Sequence, residues 1–305
     1  MTTENRVARC ARESVLASRA SDRGGIVISG SDRIRWLNGL VTCDLAKLTP
    51  SAGAYGLIVE KKGRIATDFF MCPGHDDALV LAVPLEVRAA ILGMLDHFLI
   101  MEDAELEARD LAFWWLVGPR SKEVCAAVGA PWSASLAVFG AEGAIVGVPE
   151  ADAAEFEARL AACVAEVDGM LATADAWEAW RIERGVPRFG VEVDTTLYPQ
   201  EASLERLAVS FEKGCYLGQE VVYMLEHRGH PKRRLVALEV EGDALPAKGA
   251  SVTTPAGVET GEVRSAARGP SSGKTVAIAM VKWTESAAGT ELRVGGANAR
   301  VRAGV

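Results

Sequence analysis

Lys213-Gly214-Cys215-Tyr216-Leu217-Gly218-Gln219-Glu220 is the most informative stretch of this chain. Two glycines flank a cysteine, and a lysine precedes it by two positions. Glycine lets a backbone turn tightly and approach another segment closely. The pattern predicts Cys215 on a tight, partly exposed turn, with Gln219-Glu220 opening a helix or strand that fixes the loop. A nearby Lys213 would favour the thiolate, which is the reactive and metal-binding form. The residues alone leave a second reading open, a small buried cysteine in a glycine turn, as most free cysteines are.

The chain around this stretch sets limits. Its 305 residues suggest two domains, or three compact ones. Apolar residues make up 49% and charged residues 24%, a globular balance that argues against disorder, collagen or coiled coil. The net charge of −8 argues against bulk nucleic-acid binding, which needs a basic footprint. Apolar runs such as Ala78–Leu85 and Leu111–Val117 are far shorter than the ~20 residues of a spanning helix. Arg6, Arg9 and Arg12 recur with serines after them, as in transit peptides. Glu4 and Glu13 count against that, and no apolar core of a secretory signal follows. The cytoplasm is the expected compartment, ahead of the mitochondrial matrix. Six cysteines without a C-x-x-C pair read as free thiols rather than as a disulfide or zinc framework.

Periodicity divides the chain. Residues 26–29 read as a strand, with Ser31-Asp32 capping a helix to about Leu40. Leu57–Glu60 and Arg64–Met71, split by Lys61-Lys62-Gly63, read as a hairpin. Strands at Ala78–Val83, Phe113–Val117 and Ala144–Val148 alternate with helices at Glu86–Phe98, Ser121–Val128 and Ala151–Val167. That alternation predicts an α+β lobe of ferredoxin-like kind over about 75–170. The acid-rich Glu102–Asp110 reads as a solvated face. Trp114-Trp115 reads as core packing, or as the lining of a cavity. Thr173 or Asp175 caps a helix, Ala174–Arg184, which Gly185-Val186-Pro187 ends. Pro199–Arg234 reads as irregular. Beyond it, β-runs at Leu235–Val240, Val258–Ser265, Thr275–Trp283 and Glu291–Val301 predict a small barrel or sandwich. The expected division is 1–232 and 233–305.

Two further features carry chemistry. Glu183 shares a helix face with Ala176, Ala179 and Trp180, and a carboxylate buried there must find donors. Arg228, Lys232, Arg233 and Arg234 face only Glu226 nearby, either as a solvated hinge or as a basic rim that attracts an anion. His227 and His230 have no further ligands spaced nearby, so no metal site is expected.

The stretch at 213–220 resembles the signature of the YgfZ family, folate-binding relatives of the glycine-cleavage T-protein, an aminomethyltransferase. The mitochondrial iron–sulfur assembly factor of that family shares the motif. Arg181-Ile182-Glu183-Arg184-Gly185, Tyr198-Pro199-Gln200-Glu201-Ala202, Arg228-Gly229-His230 and Gly63-Arg64-Ile65-Ala66-Thr67-Asp68 resemble further family segments. The similarity covers most of the chain and is strongest over 177–235.

The resemblance implies an α+β, three-lobed cloverleaf around a folate channel, with a ferredoxin-like lobe and a C-terminal β-barrel. It implies tetrahydrofolate as cofactor, with Glu183 gripping the pterin and Asp68 near folate N10. Arg181, Tyr198, Gln219 and Arg228 are the other implied folate contacts. It implies Cys215 as the acting thiol in iron–sulfur cluster assembly or repair, with effects on tRNA modification and with iron–sulfur proteins or cluster carriers as partners. A folate-dependent aminomethyltransferase, methyltransferase or demethylase is the alternative, with Asp68 as its base. A non-catalytic scaffold that binds RNA or a carrier is a further one. Whether the chain is an enzyme stays open. Thr67 replaces the first aspartate of the T-protein pair, and Tyr223-Met224-Leu225 lacks the family's arginine. T-proteins lack the motif cysteine, so these departures point to the YgfZ branch.

Overall fold

The computed structural model describes residues 3–49, 51–74 and 78–303, which fall into two compact units. One unit holds Arg9–Ala172 with Leu207–Gln219; the other holds the residues up to Ala8, Thr173–Arg206 and the chain from Glu220 on.

After α1 (Thr3–Glu13) come β1 (Leu16–Arg19), β2 (Arg23–Ser29), α2 (Arg33–Asn38), β3 (Ala54–Val59), β4 (Ile65–Pro73), β5 (Leu79–Pro84), α3 (Arg88–Asp96) and β6 (Glu105–Arg109). Strands β3-β4-β5-β2-β6 form an antiparallel sheet in that order. The predicted hairpin is β3–β4, with Leu57 opposite Asp68. Helix α2 forms as expected but is not capped by side chains. Ser31 instead donates to Asp103, and the Asp32 carboxylate is taken by Arg35 and the Asp103 amide. The acidic stretch is indeed exposed, but it is an edge strand, β6, paired to β2. Charged side chains on an edge discourage pairing with another chain.

The second sheet collects β7 (Leu111–Val117), α4 (Ser121–Val128), β8 (Trp132–Val138), β9 (Ala141–Pro149), α5 (Ala153–Glu166) and β10 (Met170–Leu171). Its order is β10-β1-β7-β9-β8. Without β1 this is the βαββαβ ferredoxin-like order, and β1 is an insertion between the outer strand and β7. The ferredoxin-like lobe is present, but it begins at β7. Strand β5 and helix α3, which the periodicity assigns to it, belong to the other sheet. Spacing along the chain gives element type; only hydrogen-bond partners give sheet membership. Trp114 packs on Phe156 in the core of this lobe, with Leu160 and Val164 on the same face of α5. Trp115 turns the other way, against Phe70 and Phe139. Both tryptophans are core residues.

The other unit begins with α6 (Ala174–Glu183), capped by Thr173 Oγ1 accepting from the Ala176 amide. Two short helices follow, α7 (Glu205–Ala208) and α8 (Gln219–His227), in a region that reads as irregular in sequence. Then come β11 (Arg233–Val240), β12 (Ser251–Thr253), β13 (Glu259–Arg268), β14 (Thr275–Lys282), β15 (Glu291–Val294) and β16 (Ala297–Val301), which close into a barrel. Alternating side chains such as Ala277, Ala279 and Val281 fill its interior. Helix α6 lies over β13 and β14.

Candidate functional site

Cys215 is the exposed cysteine among the six; Cys10, Cys43 and Cys72 are buried, and Cys125 and Cys163 are half-buried. Its loop is held down on both sides. The Leu217 amide donates to the Gly39 carbonyl at 3.0 Å, just past α2, and the Leu217 side chain packs into the core of the first sheet. Gly218 has a positive φ of 77°, and a Cβ there would lie 2.3 Å from the Glu60 carbonyl oxygen at the β3–β4 turn. Only glycine fits that contact. Gly214 has open space around its Cα, so the two signature glycines are not equivalent.

The structure gives Lys213 a different task from the predicted one. Its ammonium is buried and donates to the carbonyls of Asn38 (2.7 Å), Val41 (2.8 Å) and Cys43 (2.6 Å) and to Asn38 Oδ1 (3.0 Å). All three N–H donors are spent on the turn after α2, so the charge that was expected to favour the Cys215 thiolate serves as a strut. Burial holds Lys213 below its ordinary pKa, against the pull of Cys43 and Asp44. The Tyr216 ring lies beneath the ammonium, 5.4 Å from it, and burial pushes the Tyr216 phenol up to about 12.

Asp68 lies on β4 with its carboxylate buried. Arg23 Nη1 and Nη2 donate to its two oxygens, and the Tyr55 hydroxyl donates to Oδ2 at 3.2 Å. Burial opposes the Arg23 charge, but Asp68 outweighs it and raises the guanidinium pKa. The Arg23 ring of contacts also includes the Phe70 face, 5.6 Å away.

Glu183, at the end of α6, is buried as its apolar face implies, and its donors are protein amides. Oε2 accepts from Ser271 N–H (2.8 Å) and Oε1 from Ser272 N–H (2.7 Å), in the β13–β14 turn. The Glu183 carbonyl accepts from Arg302. Each carboxylate oxygen keeps a further lone pair. Arg181 has no such reserve. Nε and Nη2 reach Glu178, Nη1 and Nη2 reach Glu192, and Nη1 also reaches the Val186 carbonyl. This network, with Arg181 and Glu192 buried and Glu178 half-buried, shapes the chain after α6 and leaves Arg181 no free donor for a ligand.

Tyr198 is half-buried, its amide given to Glu201. The Gln219 side chain makes no hydrogen bond among the described residues; its amide closes a turn on Tyr216. The basic stretch is divided. Arg233 pairs with Glu201 at 3.5 Å, and Arg234 bonds Glu205 while lying over the Trp283 ring. Arg228 and Lys232 are exposed and make no ion pair among the described residues. His230 stacks on Trp283 at 5.4 Å, while His227 meets Tyr223 at 4.1 Å. No group of three or more metal-ligating side chains converges among the described residues. Sequence reasoning missed Arg23, Tyr55 and the 271–272 amides, because each reaches its partner only across a sheet or turn.

An inserted ferredoxin-like lobe, an antiparallel sheet whose hairpin carries Asp68, and a six-stranded closing barrel together define a T-protein-like fold. Residues 3–142 match the GCVT N-terminal domain, and residues 233–305 match the glycine cleavage T-protein C-terminal barrel domain. The chain belongs to the glycine-cleavage T-protein family. It is 28% identical to the mitochondrial aminomethyltransferase of Gallus gallus, over 88% of this chain and 74% of that protein. It is 26% identical to the tRNA-modifying protein YgfZ of Photobacterium profundum, over 75% of this chain and 71% of that protein. The crystal structure of glycine cleavage system aminomethyltransferase T from Bartonella henselae superposes with a TM-score of 0.82 at 19% identity. That superposition covers 98% of this chain and 88% of the other, and it establishes the fold.

Proposed function

We propose that this chain is a tetrahydrofolate-binding member of the T-protein family that serves iron–sulfur cluster assembly or repair, with Cys215 as its acting thiol. The observation that carries the reading is the exposure of Cys215 on a loop anchored by Lys213, Leu217 and Gly218. A thiol held open on a fixed platform is suited to react with a partner. Similarity to YgfZ proteins supports an effect on tRNA modification through cluster-dependent enzymes.

The residues present fit a folate in part. Glu183 has spare acceptor capacity for the N–H groups of a pterin, Tyr198 offers a half-buried ring, and Arg228 offers an exposed cation for a glutamate tail. Arg181 is left out, because its donors are spent. Tetrahydrofolate, when bound, supplies a one-carbon acceptor. Asp68 is less suited to act as a base toward it, since its buried carboxylate already takes two bonds from Arg23 and a third from Tyr55. That contact ranks the aminomethyltransferase reading second.

The test has two arms. Tetrahydrofolate is titrated into the full chain by calorimetry, with saturable binding expected and weakened in Glu183→Gln. Cys215→Ala is then placed in a rescue assay for a cluster-dependent enzyme, where loss of rescue with unchanged melting temperature is expected. Full rescue by Cys215→Ala refutes the role of the thiol; absence of tetrahydrofolate binding refutes the cofactor. Turnover of a methylated or aminomethylated donor with tetrahydrofolate, lost in Asp68→Asn, would instead favour the transferase.

A further inference from the structure

The segment that carries Cys215 is bound at three places to one turn of the same unit, residues 38–45. Upstream, the Ser210 amide donates to the Thr42 carbonyl at 2.9 Å, and Thr42 Oγ1 donates to the Ala208 carbonyl at 2.6 Å. Downstream, the Leu217 amide holds the Gly39 carbonyl. Between them stands Lys213. Its Nζ meets four oxygens at 2.6–3.0 Å, the carbonyls of Asn38, Val41 and Cys43 and the side-chain oxygen of Asn38. Asn38 Oδ1 also accepts from the Leu45 amide at 2.9 Å, so the turn itself holds that oxygen in place.

Tyr216 adds a fifth contact. Its ring centroid lies 5.4 Å from Nζ, within reach of a cation–π interaction. The Tyr216 hydroxyl is buried and makes no hydrogen bond among the described residues, so the arrangement uses the ring rather than the hydroxyl. Four oxygens and a ring face form an enclosure that suits one compact monovalent cation. A guanidinium, planar and with its donors in a fixed fork, does not match acceptors that converge on one point. Lys213 and Tyr216 are buried, and the two residues between them are left outside. A Cβ at Gly214 would meet nothing within 4 Å, and Cys215 is exposed. The thiol therefore stands on a short arch whose two feet meet on the same cation.

We propose that Lys213 is a positioning residue for the Cys215 thiol, and that its enclosure is a site for one alkylammonium cation, filled in the native protein by the tethered head of the lysine itself. Removing that head leaves buried carbonyls without their donor and frees one foot of the arch. A free ion of the same shape restores both. That the arch serves function rests on Cys215 being the acting thiol; the enclosure does not, and it is read out separately.

Hydrogen exchange of the full chain, read by mass spectrometry over 207–218 with β4 as internal reference, tests the enclosure. In Lys213→Ala the 207–218 amides should exchange at least tenfold faster while β4 is unchanged. Added n-propylammonium, which supplies the missing part of the side chain, should restore protection saturably. Tetramethylammonium at the same concentration, bulky and without N–H donors, should not. If Lys213→Ala folds only with n-propylammonium, recovery of the native melting temperature reports the same rescue. Lys213→Met and Lys213→Arg should both lose protection, whereas Tyr216→Phe, which keeps the ring, should hold it. Native exchange in Lys213→Ala, or equal effects of the two ions, overturns the enclosure. In the rescue assay for a cluster-dependent enzyme, Lys213→Met should fall at least fivefold below the native protein with the Cys215 thiol still titratable. Full rescue by Lys213→Met overturns the positioning role. Full rescue by Cys215→Ala removes the function that the arch serves, and the exchange result then stands or falls by itself.

Discussion

Arg23 and Asp68 meet at two points, Nη1 to Oδ1 at 2.7 Å and Nη2 to Oδ2 at 3.1 Å, with both side chains 1% exposed. They lie 45 residues apart in sequence, on β2 and β4, and β5 runs between those strands in the sheet. The pair fixes the Asp68 carboxylate in a place where sequence similarity alone suggests a reacting group. Removing one member of a buried pair leaves the other charge uncompensated, at about 3–5 kcal/mol. Asp68→Asn is expected to lower stability by that order in urea unfolding. Joint replacement by Arg23→Met and Asp68→Leu should lower it less than either single change. Additive losses in the double variant would show that the two groups act separately.

Thiol chemistry checks the Cys215 platform. With a soluble disulfide reagent at pH 8, the native protein should show one fast equivalent. The half-buried Cys125 and Cys163 should follow slowly, and the rest should react only after unfolding. Cys215→Ala should abolish the fast phase. Persistence of that phase would place the accessible thiol elsewhere.

The two signature glycines should separate cleanly. Gly218→Ala forces a Cβ against the Glu60 carbonyl at a positive φ, a strain of about 1–3 kcal/mol. Gly214→Ala meets nothing and should leave the melting temperature almost unchanged. Equal effects at both positions would contradict the docking of the loop on the β3–β4 turn.

Stability should fall above about pH 9. Burial pushes the Cys43 thiol up to about 12, against the opposing charge of Lys213, and pushes the Tyr216 phenol up to about 12. Ordinary thiols and phenols release their protons near pH 9 and 10. In that window the unfolded chain binds fewer protons than the folded one. The stabilisation, complete below the unfolded values, is lost as pH rises toward 12. Lys213, held below its usual value by burial, works in the opposite sense. Urea unfolding at pH 7, 9 and 10.5 should show the decline, and Cys43→Ala should flatten it. An unchanged slope in Cys43→Ala would remove the thiol as a cause.

The sequence by itself determined the elements with regular patterns: the β3–β4 hairpin, α4 residue for residue, α6, and four β-runs of the barrel, although the three-residue β12 escapes it and the Glu291–Val301 run divides into β15 and β16. Period and capping are local, so they survive in a linear reading. It also marked Cys215, since the motif around it is contiguous, but only the structure decided that this thiol is exposed rather than buried. Sheet membership was not legible, and so β5 and α3 move to the first sheet while β1 inserts into the second. Nor were the partners of charged groups. Lys213 lies two residues from Cys215 in sequence, yet its donors go to Asn38, Val41 and Cys43 across 170 to 175 positions. A buried charge takes whichever acceptors the packed chain brings within about 3 Å. Only the tertiary structure decided that Lys213 is a strut, that Arg181 is spent, and that Asp68 belongs to Arg23.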